Sequence, residues 1–408
     1  MNILVINHYV GGGDLGMEYR PWYLAREWVR QGHKVWMVGA TFSHLRLKNP
    51  AVGSDFSVEE REGISYVWIK TPSYGGTVRR ILNIGTFVGK LWSNVGRIVG
   101  LTRPDVVIAS STYPLDNYPA CRIARRAGAK YVYEVHDLWP LSPMLIGGYS
   151  ARHPFIRVMQ KAEDYAYRHV DQVVSLLWNA EEHMREHGLP EGRFACIPNG
   201  YDPAEWVEER RSTPLPEAHR QAFEKAKGKI VVGFAGGFAA SGALMTLLEA
   251  ALLLKDDDRL RFVLVGKGPE RENYVRFIGE HGLQNVVLLP PVDKVCIPAL
   301  EQRFDIAFMG GVHSKLHFYG TSFNKMIDYM LAGVPIVQSI DEPGSVVGRT
   351  GCGLQVEAEN PVAVASAVGE IASMSAEERR SMGLRGRQYA ENFLKWEDLA
   401  RQMIEILG

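Results

Sequence analysis

Unbroken apolar runs, each closed by a glycine-containing turn, constrain this chain more than any other feature. Ile3 to Ile6 is such a run, as expected of a strand buried on both faces. His8-Tyr-Val-Gly-Gly-Gly-Asp-Leu-Gly16 follows, then a predicted helix from about Arg20 to Arg30, a break at Gly32, and a strand over Val35 to Val38. Gly63 to Lys70, Asp105 to Ala109, Tyr131 to Val135 and Gln172 to Leu176 read as further strands, with helices over Arg122 to Gly128 and Arg152 to Arg168. Glu208 to Lys229 is charged and proline-punctuated, the pattern of a linker with a flanking helix. The alternation then restarts at Ile230 to Ala235, Arg261 to Val265, Asn285 to Leu289 and Ile306 to Met309. Strand–helix–strand repetition demands parallel sheets covered by helices. The expected fold is α/β with two Rossmann-like halves, 1–203 and 204–384.

The turns carry the candidate chemistry. Gly12 and Gly13 in the first half, and Gly236 and Gly237 in the second, let a backbone approach a phosphate closely. The first turn lacks the dinucleotide fingerprint, because no acidic residue ends the second strand; Gly39-Ala-Thr stands there. Gly320 to Pro335 reads as a polar loop, a helix, a stop and a strand. Ser322 is its expected N-cap, and Met326, Ile327, Met330 and Leu331 form an apolar stripe. Thr321, Ser322, Asn324 and Lys325 set hydroxyls, an amide and a cation at the helix start, a combination that suits a phosphate. Asp328, one turn beyond Asn324, can accept two hydrogen bonds from a ribose diol. A capped helix with Lys325 and Asp328 in solvent has the same spacing.

This stretch resembles the donor-site helix of family 4 glycosyltransferases, and is most similar to a bacterial surface-polysaccharide, O-antigen branch with N-acetylfucosamine-type transferases. The carriers are Ser322-Phe-Asn-Lys-Met-Ile-Asp-Tyr329 and Ala332-Gly-Val-Pro335, together with Asn7-His-Tyr9, Met17 to Arg26, Glu134-Val-His-Asp-Leu-Trp-Pro140, Pro198-Asn-Gly-Tyr-Asp202 and Gly266-Lys-Gly-Pro-Glu270. The family pattern has two acids separated by seven residues. Asp328 stands at the second position and Gly320 at the first. Ordinary members also carry an Arg and a Lys in the loop spelled here Gly236 to Gly242, where this chain has Gly237 and Ser241.

The resemblance implies the GT-B architecture, two Rossmann-like domains facing a donor cleft, with the C-terminal helix, 385–408, crossing back to the first domain. It implies a retaining, metal-independent transferase with no required cofactor and a nucleotide-diphosphate sugar, UDP-linked and N-acetylated, as donor. His136 and Asp137, just past a strand's carboxyl end, become the catalytic candidates. Gly12, Gly13, Gly236, Gly237, Lys267, Thr321, Ser322, Asn324, Lys325 and Asp328 become the donor-binding set. A nucleotide-sugar 2-epimerase and a non-catalytic sugar-nucleotide-binding partner share this architecture and stay open.

Composition narrows the partners. Lys plus Arg and Asp plus Glu are 46 each, so net charge argues against a nucleic-acid partner. Cys121, Cys196, Cys296 and Cys352 are widely spaced and imply no metal or disulfide framework, consistent with a cytoplasmic protein. Met1-Asn-Ile-Leu-Val-Ile-Asn7 begins directly as a strand without signal-peptide anatomy, and no apolar run reaches membrane-spanning length. Gly63 to Pro104 holds Lys70, Arg79, Arg80, Lys90, Arg97 and Arg103 but no acid. Interleaved apolar residues, Phe87 and Trp92 among them, make this a basic amphipathic helix in one or two pieces. It is expected to rest on the anionic inner leaflet, with a lipid-linked saccharide as acceptor.

Overall fold

The apolar runs do form strands, and their burial explains their composition: Ile3 to Ile6 are at most 2% exposed. The computed structural model describes all 408 residues, Met1–Gly408. It divides into two units, Met1–Asn199 with Trp396–Gly408, and Gly200–Lys395.

The first unit holds β1 (Asn2–Ile6), β2 (Lys34–Ala40), β3 (Ser57–Arg61), β4 (Ile64–Ile69), β5 (Val106–Ala109), β6 (Lys130–Val135), β7 (Gln172–Ser175) and β8 (Phe194–Cys196). Their order is β3-β4-β2-β1-β5-β6-β7-β8, parallel except for the β3–β4 hairpin. Leu4 of β1 sits between Trp36 of β2 and Val107 of β5. Strand order reverses at β1, so the crevice between the β1 and β5 carboxyl ends is the switch point where open α/β sheets take ligands. The second unit holds β9 (Ile230–Gly237), β10 (Leu260–Lys267), β11 (Val286–Leu289), β12 (Ile306–Gly310), β13 (Ile336–Ser339) and β14 (Gly353–Val356). This sheet is wholly parallel, in the order β11-β10-β9-β12-β13-β14, with its switch point between β9 and β12.

Several expectations are corrected. Strands β3, β8 and β14 were not foreseen. The flanking helix expected within Glu208 to Lys229 is Glu217–Lys225, which packs Phe223 near Phe304, ring centroids 6.3 Å apart, and His219 Nε2 lies 2.9 Å from the Pro290 carbonyl. The single helix expected from Arg385 is two. Ala376–Phe393 starts with a Ser375–Glu378 capping box and stays with the second unit, and only Trp396–Leu407 joins the first. The basic segment takes the two-piece form allowed for it, Thr77–Ser93 and Val95–Thr102. Phe87 does not face outward but is fully buried, its ring 4.6 Å from His8. Lys90 is spent on Asp55 at 2.6 Å, and Arg97 lies over the Phe56 ring. Val78, Ile81 and Leu82, with Arg79 between them, remain exposed. No helix is long and apolar enough to cross a membrane.

Trp396 secures the returning helix. It stacks on Tyr23 at 5.3 Å and 9°, under the Arg20 guanidinium, and the nearby Trp28 indole donates to the Ala400 carbonyl at 3.1 Å. Trp396 is 3% exposed, so Trp396→Ala should destabilise the first unit by ~3–5 kcal/mol. Denaturant unfolding should show the first unit's transition at lower denaturant, and an unchanged profile would contradict this anchoring.

Candidate active site

In the first unit, side chains at the carboxyl ends of β1, β5 and β6 meet around His136. Glu134 and His136 are two residues apart at the end of β6 and so point to the same side. Glu134 is 2% exposed, and a carboxylate so placed needs compensating charge. The Arg20 guanidinium supplies it at 3.0 Å, and the Ser110 hydroxyl donates to Glu134 at 2.6 Å. Burial alone would raise its pKa, but Arg20, His136 and Ser110 outweigh that and hold it at about 2. Arg20 also donates to the Ile197 and Pro198 carbonyls at 2.9 and 2.7 Å, tying down the Pro-Asn-Gly segment.

His136 Nε2 lies 3.1 Å from Glu134 Oε2, and Nδ1 lies 3.9 Å from Glu18 Oε2. Burial disfavours the imidazolium, yet Glu134 and then Glu18 prevail, and the His136 pKa is raised. Glu18 accepts from the Asn7 amide at 3.1 Å and the Thr112 hydroxyl at 3.2 Å. Burial, reinforced by Glu18 and opposed by His136, pushes Asp137 up to about 6. Gly12 and Gly13 both have positive φ, 108° and 52°. A Cβ on Gly12 would enter the Trp22 ring, whereas Gly13 faces open space. Glu18, Glu134, Arg20 and Ser110 were not singled out from sequence. An acid inside the buried run Tyr131-Val-Tyr-Glu-Val135 was the signal available for Glu134.

In the second unit, the turns after β9 and β10 interlock. Gly236 and Gly237 pair with Gly266 and Lys267, and the Phe238 N–H donates to the Lys267 carbonyl at 2.8 Å. Lys325 Nζ lies 4.4 Å from the Phe234 ring centroid and 3.1 Å from where a Cβ on Gly236 would stand. Burial lowers its pKa and the charge of Glu301 opposes this. Tyr329 fixes the helix to β9, its hydroxyl accepting from the Ala235 N–H at 3.0 Å.

The helix, Asn324–Ala332, begins one residue later than expected. Phe323 rather than Ser322 is its N-cap, with no side-chain cap. Thr321 is set apart from the other donor candidates, because its N–H and hydroxyl donate to Glu342 at 2.7 and 2.8 Å. Asn324 is exposed in the first turn. Asp328 is pushed up to about 7 by burial, opposed by Lys294, reinforced by Glu205, and hydrogen-bonded by Trp206. The fold thus gathers Gly236, Gly237, Lys267 and Lys325 at one sheet edge, and places His136, Asp137, Gly12 and Gly13 in the other unit.

Two Rossmann-like units with parallel sheets make up the GT-B architecture. The family description "Glycosyl transferase 4-like domain" matches residues 16–200, and "Glycosyl transferases group 1" matches 229–374. The chain belongs to the family 4-type GT-B glycosyltransferases. Comparison with curated proteins found no match. Among solved structures, sucrose-phosphate synthase from Thermosynechococcus elongatus is similar at a TM-score of 0.73 and 17% identity, covering 99% of this chain and 97% of that one. HepE from Anabaena, in complex with UDP and glucose, gives 0.66 and 15%, covering 100% and 99%. WaaG, a glycosyltransferase involved in lipopolysaccharide biosynthesis, gives 0.66 and 13%, covering 99% of each chain.

The charge network has a testable sign. The depressed pKa of Glu134 contributes stability above the ordinary carboxylate range, and this is lost as pH falls toward about 2. The raised pKa of His136 contributes below its ordinary value, and this is lost as pH climbs through the folded-state pKa. Glu134→Gln should therefore lower the His136 midpoint in an NMR titration and cost about 3–5 kcal/mol by stranding Arg20. An unmoved midpoint would detach Glu134 from the histidine.

Proposed function

We propose that this glycosyltransferase moves a sugar, with retention, from a UDP-N-acetyl sugar to a lipid-linked saccharide in surface-polysaccharide synthesis. The carrying observation is Lys325: a half-buried ammonium against an aromatic face, at a glycine turn and in the first turn of a helix. Such a cation is set for a diphosphate, and the helix start adds backbone N–H groups. It takes over from the family's Arg and Lys, absent from Gly236 to Gly242. The UDP held by HepE supports the base, and the pathway of WaaG supports the acceptor class. Asp328 accepts the ribose diol beside its bond from Trp206. His136, whose pKa Glu134 and Glu18 raise, stabilises the reacting region as the donor C1–O bond stretches and charge builds on the leaving phosphate. Lys325 and the helix start meet that charge without a metal ion.

Incubating UDP-sugars with and without a polyprenyl-pyrophosphate saccharide tests this reading. Transfer should require the acceptor. A changed sugar nucleotide without acceptor would indicate an epimerase, and binding without turnover a non-catalytic partner. Lys325→Ala should weaken UDP by about 1.5–3 kcal/mol and uridine far less, because only UDP presents charge to the ammonium. Equal losses by calorimetry would remove Lys325 from the phosphate site.

The acceptor reading places the protein peripherally on the inner face of the membrane. Its docking face is Val78, Ile81 and Leu82 around Arg79, at helical spacing. Each basic residue near an anionic surface adds roughly 1 kcal/mol, screened by salt. Sedimentation with anionic vesicles should fall as salt rises, and fall again in an Ile81→Ser, Leu82→Ser, Arg79→Glu variant. Wild-type protein that stays in the supernatant at low salt would overturn the docking.

A further inference from the structure

A second cluster of chemistry-bearing side chains lies in the helix layer of the first unit and shares no residue with the site above. Glu163 comes from the helix Pro154–His169, and His183 and His187 come from the helix Glu181–Glu186 and its C-cap. One ligand atom from each lies within 4.8 Å of the other two. His183 Nε2 is 3.9 Å from Glu163 Oε1, and the imidazole centroids are 4.6 Å apart. Glu163 is 1% exposed and pairs with no Lys or Arg. The Tyr167 hydroxyl donates to its Oε1 at 3.0 Å and the Gln160 amide to its Oε2 at 2.8 Å. Asp164 Oδ1 stands 2.9 Å from His187 Nδ1.

We infer that Glu163, His183 and His187 form a structural binding site for a divalent cation of the zinc class. Two imidazoles and a carboxylate are a donor set that zinc takes in tetrahedral geometry. Bonds of about 2.0–2.2 Å there put ligand atoms roughly 3.3 Å apart, so the three side chains need to close by no more than about 1.5 Å. Asp164 or water completes the fourth position. Tyr167 holds one carboxylate oxygen of Glu163, as outer partners of metal ligands do, while the Gln160 amide nitrogen lies 2.8–2.9 Å from Glu163 Oε2, Asp164 Oδ1 and His187 Nδ1 and has to swing aside when an ion enters. Calcium and magnesium, which prefer all-oxygen shells, fit poorly.

The charges around the cluster agree. Burial, reinforced by Asp164 and opposed by Tyr167 and Gln160, pushes Glu163 up to about 8. Burial and then His187, opposed by Asp164, push His183 down to about 4. Bound there, the ion would staple together two helices that the chain otherwise joins through β7. It touches none of the residues proposed for transfer, so it stands or falls apart from that reading.

The test is calorimetry on tag-free, chelator-stripped full-length protein with zinc chloride, compared with magnesium chloride. One zinc per chain should bind tighter than about 10 μM, and magnesium should not bind. His187 is part-exposed, so His187→Ala keeps the fold and should weaken zinc at least about tenfold, as should Glu163→Gln. Circular dichroism verifies that each variant is folded. Folded wild-type protein that takes no zinc, or zinc affinity unchanged in both variants, would overturn the site.

Discussion

The buried pair Arg20–Glu134 is the interaction on which the first unit's chemistry depends. Glu134 belongs to β6, Arg20 opens the helix after the glycine turn, and the carbonyls Arg20 also holds lie at the end of the Met1–Asn199 segment. One guanidinium therefore joins the first turn, the central sheet and the last loop of that segment. Desolvating both charges is expensive and is repaid only when every remaining donor and acceptor finds a partner. Arg20 does so through carbonyls, and Glu134 through Ser110 and His136. Each partner lies at a strand end or just beyond it, so correct pairing of β1, β5 and β6 and correct assembly of the histidine site are one event.

Much of the fold was legible because strands buried on both faces must be continuously apolar, and Ile3 to Ile6 and Ile230 to Ala235 are. Two of the missed strands lack that mark. Ser57–Arg61 ends in three consecutive charged residues, Glu59, Glu60 and Arg61, and as the antiparallel edge of its sheet it leaves all three at least partly exposed. Gly353–Val356 is also an edge strand with a polar residue inside. The basic segment shows the same limit differently. Periodicity found its apolar residues but not which of them faced in, because both faces of Thr77–Ser93 carry some. Phe87 went to the core and Ile81 to the surface.

In the candidate site, position was readable and partnership was not. His136 and Asp137 follow a strand and precede a proline, so their place at the sheet's carboxyl edge follows from local pattern. That His136 lies between two carboxylates does not, because Glu18 arrives from a loop whose path is set by contacts far along the chain. The Gly236 turn and Lys325 meet for a different reason. Tyr329, one helical turn beyond Lys325, bonds the backbone of β9 and fixes the helix axis over that strand.

The carboxylate missing from the family pattern at Gly320 has a backbone cause. Gly320 sits at φ 104°, in the region that favours glycine, so a glutamate there would be strained in this loop. The acid nearest this loop's backbone is instead Glu342, beyond β13, 2% exposed and accepting from the N–H and hydroxyl of Thr321 and from the Gln338 amide at 2.8 Å. Three donors on one buried carboxylate replace the solvent it has lost. They also commit Thr321 to shaping the loop. Its hydroxyl and N–H then leave the helix start to Ser322, Asn324 and Lys325, and the cation rather than the hydroxyl pair sets the charge that the second unit presents at its glycine turn.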